Sequence, residues 1–127
     1  MTLDILLVDD DPDFAAATAD LLRDDGYQVC VAKDGASALV LARELRPDAV
    51  LLDLGLPDAN GYDIARGLRG ALSDTTPIIV ITGRREALHG VDVDLMLHKP
   101  IQVELCGSLI EHVRRQRWKA VTARPLR

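Results

Sequence analysis

The sequence lacks the features that mark secreted, membrane-spanning and zinc-stabilised proteins. Its two cysteines, Cys30 and Cys106, are too few and too far apart for a disulfide framework or a zinc site, so we expect two buried thiols in a reducing compartment. No apolar run is long enough to span a bilayer, and the N-terminus lacks the basic start of a secretory signal. These absences predict a cytoplasmic protein that does not enter a membrane.

Basic residues are also scarce over most of the chain. Six of the 15 lysines and arginines lie at or after Arg114, where no acidic residue occurs, so the preceding part has nine basic and 20 acidic residues and a net charge of −11. Contacts with nucleic-acid phosphates require a basic surface. We therefore expect no direct nucleic-acid binding by this domain.

The sequence does contain a regular alternation of strand and helix signals. Its 127 residues, 48% of them apolar, suit one domain. Continuous apolar runs, typical of strands covered on both faces, occupy residues 4–8, 27–32, 49–53, 77–82 and 95–98. Helical periodicity follows at residues 12–25 and 36–46, from residue 61 onward, and at 101–118. The segment between the last two strands is short, so the fourth helix should be a turn or two around "REALH" (85–89).

This alternation predicts a doubly wound α/β domain. Parallel strands need crossover connections, which are right-handed, and one twisted parallel sheet with helices on both faces satisfies that requirement. In such a sheet, ligands bind beyond the carboxyl ends of the strands. The unusual polar residues of this chain fall at four of those ends: Asp9, Asp10 and Asp11, then Asp53, Thr82 and Lys99.

The three consecutive aspartates need not share one role. Asp11 directly precedes Pro12, an arrangement favoured at the start of a helix, where the aspartate caps the first turn. If strands one and three are neighbours, Asp9 and Asp10 converge on Asp53. Three close carboxylates repel one another, so one takes up a proton or a cation joins them. Mg²⁺ suits such oxygen ligands.

A carboxylate beside Mg²⁺ can also act as a nucleophile toward phosphorus. Lys99 and Thr82 could hold the remaining oxygens of the transferred group. Between these residues, "LPDANG" (56–61) is a loop whose Pro57, Asn60 and Gly61 set its turn geometry.

Five stretches carry a resemblance to a known family. They are "ILLVDDDPDF", "LLRDDGYQVCVAKDGASAL", "RPDAVLLDLGLPDANGYD", "PIIVITG" and "HKP", which occur in this order at domain-scale spacing. Over residues 3–118 the chain thereby resembles the response-regulator receiver domains of two-component signalling. The resemblance implies a flavodoxin-like sheet with strand order 2-1-3-4-5 and no enzymatic activity beyond Mg²⁺-dependent self-phosphorylation and autodephosphorylation.

The resemblance also implies a role for each polar residue. Asp53 would be the phosphoacceptor, Asp10 with Asp53 and the Gly55 backbone carbonyl would bind Mg²⁺, and Asp9 would assist through water. Thr82 would be the switch hydroxyl, and Lys99 would pair with the phosphoryl group. The donor would be a histidine kinase or a histidine phosphotransfer protein, the downstream target another protein, and the chain a monomer or weak dimer.

Two features of the sequence depart from the family pattern, and three positions correspond to ones with known roles in the family. Three residues before Lys99, where family members usually carry an aromatic residue, this chain has Met96, and with the short fourth crossover this predicts an atypical output surface. Gly55 and Arg84 occupy the positions that flank the path of attacking water in the family. The bond before Pro100 is usually cis in the family.

The C-terminal residues differ in composition from the rest. We expect residues 1–118 to form the receiver domain and residues 119–127 a flexible basic tail. Two alternatives stay open. One is a receiver-like binding module that is not phosphorylated. The other is a phosphohydrolase with an aspartyl intermediate, although such enzymes usually have a second acid where this chain has Gly55.

Overall fold

The computed structural model describes residues 2–58, 60–83, 93–99 and 102–123. Five parallel strands form one sheet in the order β2-β1-β3-β4-β5. The strands are β1 (Asp4–Val8), β2 (Gln28–Ala32), β3 (Ala49–Leu52), β4 (Ile78–Thr82) and β5 (Leu95–His98). The predicted fold class and strand order are confirmed.

In the part of the chain that the structure describes, four α-helices cover the two faces of this sheet. They are α1 (Pro12–Asp24), α2 (Gly35–Leu45), α3 (Gly61–Ala71) and α4 (Cys106–Thr122), the last preceded by a 3-10 turn at Val103–Leu105. Buried residues of α2 and α3 share one apolar cluster with the sheet, and those of α1 and α4 share the other. The central strands are apolar at successive positions because both of their faces are covered.

Local chemistry explains where the first helix begins and ends. The Asp11 carboxylate accepts hydrogen bonds from the N–H groups of Asp13 and Phe14, at 3.1 and 3.3 Å, as predicted for an N-cap. After Asp25, Gly26 adopts a φ of 98°, a left-handed conformation that glycine reaches without strain.

The last helix differs from the sequence prediction at both ends. The residues before Cys106 form a 3-10 turn, so regular α-helix starts only at Cys106. The sequence does not mark this start, since Leu105 makes no side-chain capping bond. It continues past Trp118 to Thr122, whose hydroxyl donates to the Trp118 carbonyl at 2.7 Å. The predicted flexible tail therefore begins with helical residues, and its last four lie outside the described residues.

Three further expectations fall on residues that the structure does not describe: the short helix around "REALH", the position of Arg84, and the bond before Pro100. The cysteine prediction holds for one thiol only. Cys106 is buried, and burial raises the pKa of its thiol to about 11. Cys30 is half-buried because β2 is an edge strand. In the described part of the chain, no helix has both the length and the apolar composition needed to cross a membrane.

Candidate functional site

The sheet brings the predicted carboxylates together at its carboxyl edge. Because Val8 of β1 pairs with Leu52 of β3, the residues that follow each strand emerge side by side. The Asp53 N–H donates to the Val8 carbonyl at 2.8 Å, which extends this pairing by one residue. Asp9, Asp10 and Asp53 each offer one carboxylate oxygen, and these three oxygens lie within 4.8 Å of one another. The predicted convergence of these three aspartates is observed.

The three carboxylates differ in their exposure to water. The side chain of Asp9 is 2% exposed and that of Asp53 is 11% exposed, whereas Asp10 is open to solvent. Burial raises the pKa of Asp9, and the charge of Asp53 raises it further. Hydrogen bonds from the Asp11 N–H and from Lys99 act in the opposite direction without cancelling the rise. The site therefore disfavours the ionised form of Asp9.

Lys99 supplies the positive charge that this cluster needs. Its Nζ lies 3.0 Å from Oδ2 of Asp9 and 3.5 Å from Oδ2 of Asp53. Its backbone N–H donates to the carbonyl of Thr82 at 2.8 Å, which fixes the residue at the end of β5. Burial lowers the pKa of Lys99, but the hydrogen bond to Asp9 and the two nearby carboxylate charges outweigh it, so the net pKa is raised. The lysine is held as an ammonium ion.

Phe14, in the first turn of α1, is a site residue that the helical periodicity of residues 12–25 does not identify. Lys99 Nζ lies over its ring, 4.2 Å from the centroid. The chain contains a single phenylalanine and 3% aromatic residues in all. The scarcity of aromatic residues is only a weak indication that Phe14 belongs to the site, because sequence alone does not show which way a half-buried side chain points.

The loop after β3 is anchored on both sides of Gly55. The Gly55 N–H donates to Asp53 Oδ1 at 3.0 Å, and the neighbouring Leu54 and Leu56 are both buried in the cluster with α2 and α3. Gly61 approaches Leu54 so closely that a Cβ there would lie 2.7 Å from Leu54 Cδ2. This packing holds the backbone beside Asp53 in one place.

The same loop also caps two helices. Asn60 Oδ1 accepts from the Tyr62 N–H at 2.8 Å at the start of α3, in agreement with its predicted turn role. Asp58, which the sequence analysis did not single out, accepts from the N–H groups of Gly35 and Ala36 at 2.8 and 3.2 Å. Asp58 thus satisfies two of the free donors at the start of α2. No local sequence rule identifies a cap that comes from a distant loop.

The remaining predicted residues occupy strands β4 and β5. Thr82 is fully buried at the end of β4, the strand that pairs with β3. Met96 pairs with Val80 across β5 and β4 and packs on the apolar cluster that contains α2 and α3. The position three residues before Lys99 therefore holds a flexible aliphatic side chain against the core.

The donor set fits a hard divalent cation. Three carboxylates face one ammonium group, so the cluster keeps an excess of negative charge, and two of the carboxylates are nearly removed from water. Mg²⁺ is usually held by one or two carboxylates, with waters and phosphate oxygens filling the other positions. Asp10 is exposed to solvent, from which such waters would come.

Comparisons with known proteins agree with this geometry. A family model described as the response regulator receiver domain matches residues 5–111. The DNA-binding response regulator MtrA of Mycolicibacterium smegmatis is 46% identical over 93 residues, which are 73% of this chain and 39% of that protein. The transcriptional regulatory protein KdpE of Mycobacterium tuberculosis is 48% identical over 87 residues, 68% of this chain and 37% of that protein. The chain thus spans about two fifths of the length of these relatives.

The fold has close counterparts among solved structures. A CheY-like response regulator receiver domain protein from Methanospirillum hungatei aligns with a TM-score of 0.85 at 23% identity, covering 94% of this chain and 99% of that one. At that identity the likeness concerns the fold.

Proposed function

Because the chain belongs to the response regulator receiver domain family, we propose that it is a signalling switch in which Asp53 accepts a phosphoryl group with the help of Mg²⁺. Receiver domains act in two-component systems by phosphorylation of an aspartate. The observation that supports Asp53 here is its position in one cluster with Asp9 and Asp10 and beside Lys99, whose Nζ lies 3.5 Å from Asp53 Oδ2. The donor is a histidine kinase or a histidine phosphotransfer protein.

The transfer is a displacement at phosphorus. A carboxylate oxygen of Asp53 attacks the phosphoryl group of a phosphohistidine, a P–O bond forms and the P–N bond breaks. The electron pair stays on the imidazole nitrogen, so no further reactant is needed. In this proposal Lys99 contacts the oxygens of the arriving group, and the Thr82 hydroxyl follows that group. Self-phosphorylation from a small phosphodonor and autodephosphorylation are the only catalytic steps we propose.

The metal would be held by residues already gathered at the site. We propose Asp10, Asp53 and the Gly55 backbone carbonyl as its ligands, with Asp9 contributing through water. When bound, the ion neutralises negative charge on the phosphoryl group and its acceptor. The 3.0 Å pair between Asp9 and Lys99 supports an ammonium group held beside the acceptor.

The output side is proposed in coarser terms. Met96 in place of the usual aromatic residue supports an atypical route from Asp53 to a downstream protein target. The net charge of −11 before Arg114 supports a domain that does not itself contact nucleic acid. A cytoplasmic location, a monomer or weak dimer, and a domain boundary near residue 118 stay predictions.

Incubation with acetyl phosphate and Mg²⁺, followed by intact-mass measurement, tests the proposal. We expect one phosphoryl adduct that is absent in Asp53→Asn and present in Asp63→Asn, which changes an exposed carboxylate on α3. No adduct on the wild-type chain would favour the binding module that is not phosphorylated. Steady release of phosphate from small phosphate esters would instead favour the phosphohydrolase.

A further inference from the structure

The contact between Lys99 and Phe14 joins two elements that are far apart in the chain. Nζ of Lys99 lies 4.2 Å from the centroid of the Phe14 ring while it also contacts Asp9 and Asp53. A cation over the face of an aromatic ring is attracted by the ring's negative face, and the attraction grows as water is excluded. The Lys99 side chain is 23% exposed, so its ammonium is partly desolvated.

A series of hydrogen bonds fixes the ring relative to the acidic cluster. Asp9 Oδ1 accepts from the Asp11 N–H at 2.9 Å, and Asp11 Oδ1 accepts in turn from the N–H groups of Asp13 and Phe14. The ring also packs against the apolar cluster shared by α1 and α4. The residues from Asp9 to Phe14 therefore place one carboxylate and one aromatic ring around the same ammonium.

We propose that Phe14 is a positioning residue for Lys99, one that holds the ammonium beside Asp53 for phosphoryl transfer. This inference rests on the proposed function of Asp53 and deepens it. If only the two carboxylates contacted it, the flexible Lys99 side chain could turn its ammonium group toward water. The Phe14 ring covers part of the ammonium group and opposes this movement. The ring acts through its π face, so an aliphatic side chain of similar volume does not replace it.

Variants at Phe14 separate the aromatic face from simple bulk. Phe14→Leu and Phe14→Met keep an apolar side chain on α1, and Phe14→Tyr keeps the ring. We expect both aliphatic variants to be phosphorylated by acetyl phosphate about three- to tenfold more slowly than the wild type at saturating Mg²⁺, from the usual strength of a cation–π contact. Phe14→Tyr should restore most of the rate. The Mg²⁺ affinity should change less than about twofold in all three, because the ring supplies no metal ligand.

A background without the ammonium tests whether the ring acts through it. In Lys99→Met, adding Phe14→Leu should slow phosphorylation no further, whereas a ring needed only for folding would slow it again. Equal rates in the wild type and both aliphatic variants would overturn the proposal, and so would a Phe14→Tyr variant that is folded and as slow as Phe14→Leu.

A spectroscopic measurement tests the contact without phosphorylation. The Lys99 Hε protons should be shifted upfield by the ring current in the wild type and in Phe14→Tyr, and not in Phe14→Leu or Phe14→Met. Lys99→Arg assigns the signal. An unshifted signal in the wild type would overturn the positioning role even if Asp53 is phosphorylated. If the shift is present but the wild-type chain gains no phosphoryl group on Asp53, the proposed function fails and the positioning role fails with it.

Discussion

Lys99 and Mg²⁺ act on the same carboxylates, so the lysine should affect metal binding and phosphorylation in opposite directions. The ammonium partly neutralises Asp9 and Asp53, and its removal leaves more negative charge for the ion. We predict that Lys99→Met binds Mg²⁺ roughly threefold to tenfold more tightly, as the loss of one nearby positive charge implies. The same variant should be phosphorylated far more slowly. Calorimetric titration and intact mass measure the two effects.

Lys119→Met is the matched control, because Lys119 lies on α4 beside Asp48 and Thr75, which precede β3 and β4. It should leave both quantities unchanged. Weaker Mg²⁺ binding in Lys99→Met would contradict the competition described for this site.

Individual residues of the site differ in how far the sequence reveals them. Asp9, Asp10, Asp53 and Lys99 follow apolar strands, and adjacent parallel strands bring such residues to one edge, so their meeting is predictable. Phe14 is not, because its role depends on where a side chain on α1 points after α1 and β5 have taken their places in the fold.

At the scale of elements, the contact between the loop after β3 and α3 depends on a missing side chain. A Cβ at Gly61 would lie 2.7 and 2.9 Å from Cδ2 and Cβ of Leu54, which is itself buried. We predict that Gly61→Ala destabilises the protein by about 1–3 kcal/mol, as overpacking usually does. It should also weaken Mg²⁺ binding, since Gly55 lies next to the displaced Leu54.

The same helix provides the control for that substitution. A Cβ at Gly70 would meet nothing within 4 Å, so Gly70→Ala should stabilise α3 by about 0.5–1 kcal/mol through its higher helix propensity. Urea unfolding of the two variants measures both signs. A stabilising Gly61→Ala would show that the loop can move away from α3 without cost.

A second junction between elements lies around Asp94, just before β5. Its carboxylate accepts from the Ile78 N–H at 2.8 Å, from Arg117 at 2.8 Å and from Arg69 at 3.2 Å, and so joins β4, α4 and α3. The two arginine side chains are 16% and 9% exposed. We predict that Asp94→Asn lowers the free energy of unfolding by roughly 2–4 kcal/mol, because two nearly buried charges lose their counter-ion.

An exposed pair shows how much of that effect comes from burial. Asp20 and Arg23 lie 3.9 Å apart with side chains 77% and 51% exposed, so Asp20→Asn should change the free energy of unfolding by less than about 0.5 kcal/mol. Guanidinium unfolding compares the two variants. Similar small changes in both would mean that the Asp94 junction contributes little to stability.

The elements were predictable where their signals are local. The capping of α1 by Asp11 and its termination before Gly26 follow from residue types alone. The predicted start of α4 is wrong because Leu105 makes no side-chain capping bond that would mark it. Its predicted end is wrong because the helix continues to Thr122, beyond the periodic segment at 101–118. The cap that Asp58 gives to α2 depends on tertiary structure and leaves no local signature.

Over the whole molecule, charge is divided between the two edges of the sheet. The carboxyl edge carries the acidic cluster of Asp9, Asp10 and Asp53. At the opposite edge, a cavity of about 320 Å³ is lined by residues that include Arg114, Arg115 and Lys119 with the exposed Trp118. The sequence shows that acidic and basic residues are separated along the chain. The fold places the acidic cluster and these basic residues at opposite edges of the sheet. Lys99 is the basic side chain observed in contact with the acidic cluster at the carboxyl edge.

The proposed function depends on divalent-ion binding at that acidic edge, and a calorimetric Mg²⁺ titration tests this binding most directly. We predict one saturable site in the wild-type chain, binding at least about tenfold weaker in Asp10→Asn, and unchanged binding in Asp13→Asn, an exposed carboxylate in the first turn of α1. No saturable binding by the wild type, or equal binding by wild type and Asp10→Asn, would contradict the account.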